Sequence, residues 1–170
     1  PSARSRAGGS RSMARFLLIH GAWHGAWCWH KVIPALQARG HQAFAIDLPA
    51  HGVDKRSTAE VTFDDYVTRV GEALATADEP WVLVGHSMGG AVITAVAERF
   101  PERLSGLIYL TAIALASGES MAKNPVAASP PEFFAALTAS PDRSSTRFDP
   151  VAARDVFYAD CSPQDIALAE

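Results

Sequence analysis

Gly85-His86-Ser87-Met88-Gly89 is the stretch of this chain most able to do chemistry, a G-x-S-x-G arrangement around one serine. A serine hydroxyl is a poor nucleophile unless it is held exposed beside a base. A sharp turn after a buried strand achieves this by projecting Ser87 from the sheet edge in a strained backbone conformation. Glycine at 85 and 89 removes side chains that would collide as strand and helix close on each other. The start of the following helix aims free N–H groups at negative charge developing near Ser87, and the N–H of Met88 is the first expected oxyanion donor. The five-residue pattern alone arises by chance in roughly 5% of chains of this length at average Gly and Ser usage. Its setting is more selective: the apolar run Trp81-Val82-Leu83-Val84 precedes it as a strand, and Gly90-Ala91-Val92-Ile93 continue it as a helix. A tight glycine turn with an incidental serine is the competing explanation, and the strand–turn–helix setting disfavours it.

A second candidate follows the first apolar run: His20-Gly21-Ala22-Trp23. The N–H of Ala22 is the expected second oxyanion donor, and one such donor is typically worth a few kcal/mol in the transition state. Small residues at 21 and 22 leave room for a substrate carbonyl against the backbone. Alone, the stretch reads equally well as an ordinary glycine-bearing turn; beside the elbow, the functional reading gains. Gly21, Trp23, His24 and His86 are then candidate walls of a substrate pocket. His20 is expected to order its loop by hydrogen bonds, and Asp47, near His51, to fix the end of a strand.

These residues need a scaffold, and the patterning supplies one. Phe16-Leu17-Leu18-Ile19 reads as a strand buried on both faces, and Ala43-Phe44-Ala45-Ile46, Trp81–Val84 and Leu104–Leu110 read as three further strands. Between them, Trp29–Ala38 reads as a helix stopped by Gly40, and Phe63, Val67, Val70 and Leu74 mark one face of a second. A third runs from Met88 to Phe100, closed by Pro101. Alternating strands and helices imply an α/β fold with a parallel, doubly wound sheet. Ligand crevices in such sheets open beyond the carboxyl ends of strands where the winding reverses, which is where the loops at His20 and Gly85 begin. After Thr111 the pattern changes. Residues 112–165 hold more than half of the eleven prolines and no comparable strand, with short helical pieces expected over Glu132–Leu137, Val151–Phe157 and from Pro163, the last with Ser162 as N-cap. The predicted organisation is a disordered or vector-derived tail over 1–14, a core over 15–111 and a lid over 112–170.

Composition narrows the classes. The 170 residues are 48% hydrophobic and 19% charged, which excludes a disordered chain. No apolar run reaches the roughly 18 residues of a membrane-spanning helix, so no membrane partner is expected. The net charge is −3, and removing the three arginines before Met13 leaves 12 basic against 18 acidic residues, which argues against nucleic acid as a partner. The Arg/Ser-rich tail lacks the apolar stretch of a secretory signal and is read as an extension ahead of a start at Met13. Arginine in excess over lysine points to a GC-rich bacterial genome. Cys28 and Cys161 stand alone, without zinc-site spacing, which suits a reducing cytoplasm. His20 and His24 lack a third ligand, so no metal is expected.

FLLIHGAWHGAWCWHKVIPAL, AFAIDLPAHG, WVLVGHSMGG, FPERLSGLIYL and FYADCSPQDIALAE together resemble the α/β-hydrolase superfamily. Within it they are similar to the group of plant methylesterases, the salicylate-binding esterase, bacterial EstC-type esterases and hydroxynitrile lyases. The resemblance runs from about Arg15 to Glu170. It implies an α/β-hydrolase core with a helical cap over the active site, no cofactor, a small-molecule ester as substrate and, as an option, a homodimer. The lyase branch typically carries threonine after the first histidine and cysteine after the nucleophile; Gly21 and Met88 stand there, which favours ester hydrolysis. A non-catalytic ligand binder is the alternative from another class.

In this superfamily the triad runs Ser, then Asp or Glu, then His. The six histidines here (20, 24, 30, 41, 51 and 86) all precede Ser87. Asp142, Asp149, Asp155, Asp160 and Asp165 all fall in the lid-like region. The resemblance therefore implies a base and acid on loops roughly 80–100 residues beyond Glu170, with the printed chain as about two-thirds of a domain. Among the upstream histidines His24 is the one considered as a surrogate base. Phe133, Phe134 and Leu137 are expected to pack in the lid, with an acyl or aromatic pocket as the second option.

Overall fold

The computed structural model describes residues 13–120 and 130–170. Four parallel strands form its sheet: β1 (Arg15–Ile19), β2 (Gln42–Ile46), β3 (Trp81–His86) and β4 (Leu104–Leu110), in the order β2-β1-β3-β4. The central strands carry the continuous apolar runs because both their faces are covered. Leu17, Leu18, Ile19 and Leu83 are at most 1% exposed. On one face α2 (Phe63–Leu74) and α3 (Met88–Arg99) bring Val67, Val70, Leu74, Val92, Ile93 and Val96 against Leu17, Ile19 and Leu83. On the other, Trp29, Ile33 and Leu36 pack against Leu18 and Val84. β4 lies at one edge and leaves Ile108, Tyr109 and Leu110 exposed.

α2 starts where its sequence dictates. Thr62 caps it and forms a reciprocal capping box with Asp65, which satisfies two otherwise orphaned N–H donors. The chain moves outward from β1 to β2, then crosses back over β1 to β3 and β4. The winding thus reverses between β1 and β3, and the loops beginning at His20 and Ser87 leave the carboxyl ends of these two strands.

Two expectations are corrected. The single helix over Trp29–Ala38 is a 3-10 turn at Ala26–Trp29 followed by α1 at Val32–Gln37. Pro34 is the reason: it lacks the N–H that a helix continuous from Trp29 would need, so it is accommodated in the first turn of α1. The helix ends at Gln37, and Gly40, with φ of +84°, closes the turn after it, where the His41 N–H donates to the Leu36 carbonyl. Beyond β4, the expectation of no strand gives way to a small antiparallel hairpin, β5 (Leu137–Ala139) with β6 (Thr146–Phe148). Each strand is three residues long, too short for a period-two pattern to register, and their pairing is fixed by the turn between them. There Asp142 accepts from the hydroxyls of Ser140 and Ser144.

The helices of this segment are α4 (Pro131–Ala135), α5 (Pro150–Phe157) and α6 (Pro163–Ala169). Each opens on a proline, the residue whose missing N–H costs nothing in a first turn. Asp149 caps α5 and Ser162 caps α6. α6 docks on the start of α1 through Asp165, which accepts from Lys31 Nζ at 2.5 Å and meets His30 Nε2 at 3.2 Å. Residues 1–12 of the expected tail lie outside the described residues, and Ala14, within that expected tail, is tied to the fold. The Ala14 N–H donates to His41 Nδ1 at 3.2 Å and its carbonyl accepts from the Gln42 N–H at 2.9 Å. Among the described residues no helix is long and apolar enough to cross a membrane.

Candidate active site

Ser87 sits between β3 and α3 with φ of +52° and ψ of −120°, a conformation that costs a non-glycine residue about 1–3 kcal/mol. The surroundings hold it there. Its carbonyl accepts from the N–H groups of Gly90 and Ile113, both at 3.0 Å, which pins the turn to α3 and to the segment leaving β4. The elbow glycines are required by contact. A Cβ on Gly85 would lie 2.5 Å from the Gly89 carbonyl oxygen, and one on Gly89 would lie 2.7 Å from that of Ile19. Gly90, read from sequence only as helix, is equally confined, 2.5 Å from the Ile113 oxygen.

The loop after β1 passes directly beside the serine. A Cβ on Gly21 would meet Ser87 Cβ at 2.9 Å and His86 Nδ1 at 3.2 Å. His86 is half-buried with its ring edge-on to Trp29, and burial lowers its pKa. Met88 opens α3 immediately after Ser87, and Ala22 follows Gly21, so the two residues expected to donate lie on the two loops that meet at Ser87.

His20 is fully buried and organises this loop as expected. Its Nε2 accepts from the Leu48 N–H at 3.1 Å, which leaves the proton on Nδ1, and that N–H donates to the Gly21 carbonyl at 2.8 Å. Burial, with a smaller contribution from neighbouring His51, pushes its pKa down to about 4. The unfolded chain, with an ordinary histidine near 6.5, therefore binds the extra proton between those values. Folding stability attributable to His20 is expected to be complete above pH 6.5 and to fall as pH drops towards 4, by an amount on the order of 3 kcal/mol. Urea midpoints measured across that window check this. A His20→Asn variant whose midpoint falls as steeply would assign the slope to another group.

His24 departs from the reading of it as a surrogate base. Its Nδ1 donates to the Ala22 carbonyl at 2.9 Å, and its Nε2 accepts from the Tyr158 hydroxyl at 2.9 Å, so both ring nitrogens are already engaged. Trp23, at φ of +60°, turns towards the segment after β4, where its indole N–H donates to the Thr146 carbonyl at 3.1 Å. Its ring packs with Phe133 and Phe148 at centroid distances of 5.8 and 5.5 Å. Asp47 does fix a strand end: its carboxylate accepts from the N–H groups of Ala26 (2.6 Å) and Val53 (3.1 Å).

A cleft of about 630 Å³ lies beside this loop, with Trp23, His24, Phe148, Phe157 and Tyr158 among its walls. Phe133 joins the aromatic cluster behind it, while Phe134 is exposed. The sequence reading named Phe133, Phe134 and Leu137 and missed Phe148, Phe157 and Tyr158. Their signal was present as aromatics at the ends of short elements in a segment otherwise poor in patterning.

The chain belongs to the alpha/beta hydrolase family, which it matches over residues 16–169. It is similar to Esterase PIR7B of Oryza sativa subsp. japonica, 40% identical over 116 residues that cover 66% of this chain and 43% of that protein. It is also similar to Salicylic acid-binding protein 2 of Nicotiana tabacum, 34% identical over 166 residues that cover 91% of this chain and 64% of that protein. Both come from plants, so the bacterial origin read from the arginine excess gets no support from them. Among solved structures, polyneuridine aldehyde esterase superposes with a TM-score of 0.78 at 28% identity, covering 93% of this chain and 67% of that one. The chain thus spans less than two thirds of the length of either plant relative.

Proposed function

We propose that the protein is a serine carboxylesterase acting on small esters, with Ser87 as nucleophile. The observation that carries this reading is Ser87 itself, held at φ of +52° on a strand–helix turn with Gly21 packed against its Cβ. In this mechanism Ser87 Oγ attacks the ester carbonyl carbon as its proton passes to a histidine base. The N–H groups of Ala22 and Met88 stabilise the oxyanion. The base returns the proton to the departing alkoxide, leaving an acyl-serine, and water then repeats the sequence to release the acid.

Both ring nitrogens of His20 and of His24 are engaged, and no histidine follows Ser87 in these 170 residues, so this reading calls for a base and an orienting acid supplied by further chain. The segment after β4 acts as a cap, its Phe148, Phe157 and Tyr158 forming one side of the cleft. Names of relatives such as Esterase PIR7B support ester hydrolysis over carbon–carbon cleavage. The free cysteines, Cys28 and Cys161, are compatible with a reducing cytoplasm.

The test is to trap the acyl-enzyme. Mixing the intact protein with excess p-nitrophenyl acetate is expected to release a burst of nitrophenol equal to the enzyme present. Mass analysis of the quenched protein should then find one acetyl group, on the peptide bearing Ser87. Turnover with acetyl on another residue, or none, would overturn the proposal.

A further inference from the structure

Two successive carbonyls in the loop after β1 are each held by a histidine, and the two histidines are anchored in different parts of the molecule. The Gly21 carbonyl belongs to the same peptide unit as the Ala22 N–H, and it accepts from His20, itself fixed to the backbone of Leu48 in the core. The Ala22 carbonyl, one unit further on, accepts from His24. His24 is fixed by the hydroxyl of Tyr158, at the C-cap of α5. We infer that Tyr158 and His24 are positioning residues: together they make the aim of the Ala22 N–H, and so the strength of the oxyanion site, depend on the seating of the segment that carries Tyr158. The inference rests on the esterase reading above.

The reason lies in how neutral imidazole distributes one proton over two nitrogens. The Ala22 carbonyl can only accept, so it requires the proton on Nδ1. The Tyr158 hydroxyl then donates to Nε2 and anchors the ring from outside the loop. Without the hydroxyl His24 loses that anchor, and the hold of its Nδ1–H on the Ala22–Trp23 peptide slackens. That peptide leads into Trp23 at φ of +60°, a conformation that needs tethering. The ring cannot readily rotate to compensate. It stacks on Trp27 at 5.3 Å and 23° and meets Phe157 edge-on at 5.4 Å.

The experiment uses the intact protein, p-nitrophenyl acetate and a double-mutant cycle. Tyr158→Phe is expected to lower kcat about tenfold, a fraction of what outright loss of an oxyanion donor costs, with KM within about twofold. In His24→Asn the amide nitrogen takes the place of Nδ1 and donates to the Ala22 carbonyl, but no atom remains to meet the Tyr158 hydroxyl. Adding Tyr158→Phe to it should therefore change kcat less than about twofold. Nitrogen-15 spectra of the imidazoles supply a readout independent of turnover: His24 is protonated on Nδ1 in the parent protein, and its Nε2 resonance moves in Tyr158→Phe as that nitrogen loses its hydrogen bond. Equal losses from Tyr158→Phe in both backgrounds, or a rise in KM with kcat untouched, would overturn the inference and leave Tyr158 as a wall of the cleft. Absence of any ester turnover in the parent protein would sink the esterase reading instead. In that case an unmoved His24 Nε2 resonance in Tyr158→Phe would overturn the tether, and a moved one would support it.

Discussion

Ser87→Ala is expected to lower kcat/KM of the intact protein on p-nitrophenyl acetate by about 10⁴-fold or more, with no matching loss of stability. The first half follows from the role proposed for the hydroxyl. Without a nucleophile no acyl-enzyme forms, and the residual rate is what the oxyanion donors and binding alone provide. The second half follows from the geometry. The Ser87 side chain makes no capping hydrogen bond to α3, and the carbonyl that anchors the turn belongs to the backbone and survives the substitution. Alanine suffers the same φ penalty as serine, so the urea midpoint should shift by no more than about 0.5 kcal/mol. Ser87→Gly separates strain from chemistry. Equally inactive, it should gain about 1 kcal/mol, since glycine occupies φ of +52° without steric cost. Turnover by Ser87→Ala at the parent rate would end the serine mechanism. A Ser87→Gly protein no more stable than its parent would show that the elbow stores no strain.

Much of this arrangement is legible in the sequence, and the reasons differ by element. β1 and β3 are readable because a strand buried inside a parallel sheet is one continuous apolar run. α2 is readable because it covers one face of the sheet and repeats its apolar residues at three and four. The elbow is readable because a strained turn between strand and helix leaves glycines in fixed places, and Gly85 and Gly89 are confined by backbone on every side. What escapes is whatever depends on partners distant in sequence. His24 looks like a candidate base until Tyr158, 134 residues away in the chain, is brought to its Nε2. Gly90 looks like an ordinary helical residue until Ile113 arrives against it. The β5–β6 hairpin escapes for the opposite reason: it is too local, its three-residue strands carrying no period of their own. The site is thus legible where one turn defines it, and hidden where the segment after β4 completes it.

Gly89→Ala carries the second large effect, and its sign runs against ordinary helix energetics. Gly89 is in the first turn of α3, and an exposed helical glycine replaced by alanine usually gains up to about 1 kcal/mol. Here the added Cβ would lie 2.7 Å from the carbonyl oxygen of Ile19 and 2.8 Å from that of His20. Neither atom can swing away. Both belong to the backbone at the end of β1, which is paired to β2 on one side and β3 on the other. Relief therefore requires α3 to back off the sheet, opening the packing of Val92, Ile93 and Val96. The expected cost is about 3 kcal/mol, a fall in Tm on the order of 10 °C for a chain of this size. The same displacement draws the turn bearing Ser87 away from Gly21, so the fraction that stays folded should also lose esterase rate, by about a hundredfold if one oxyanion donor is effectively lost. Gly106→Ala is the control, because a Cβ there meets nothing within 4 Å. It should leave stability within about 0.5 kcal/mol. Thermal melts of the two variants side by side decide the matter: a Gly89→Ala protein melting with the Gly106→Ala control would mean that α3 does not depend on this contact, and that the elbow is held by something other than the fit of its glycines against β1.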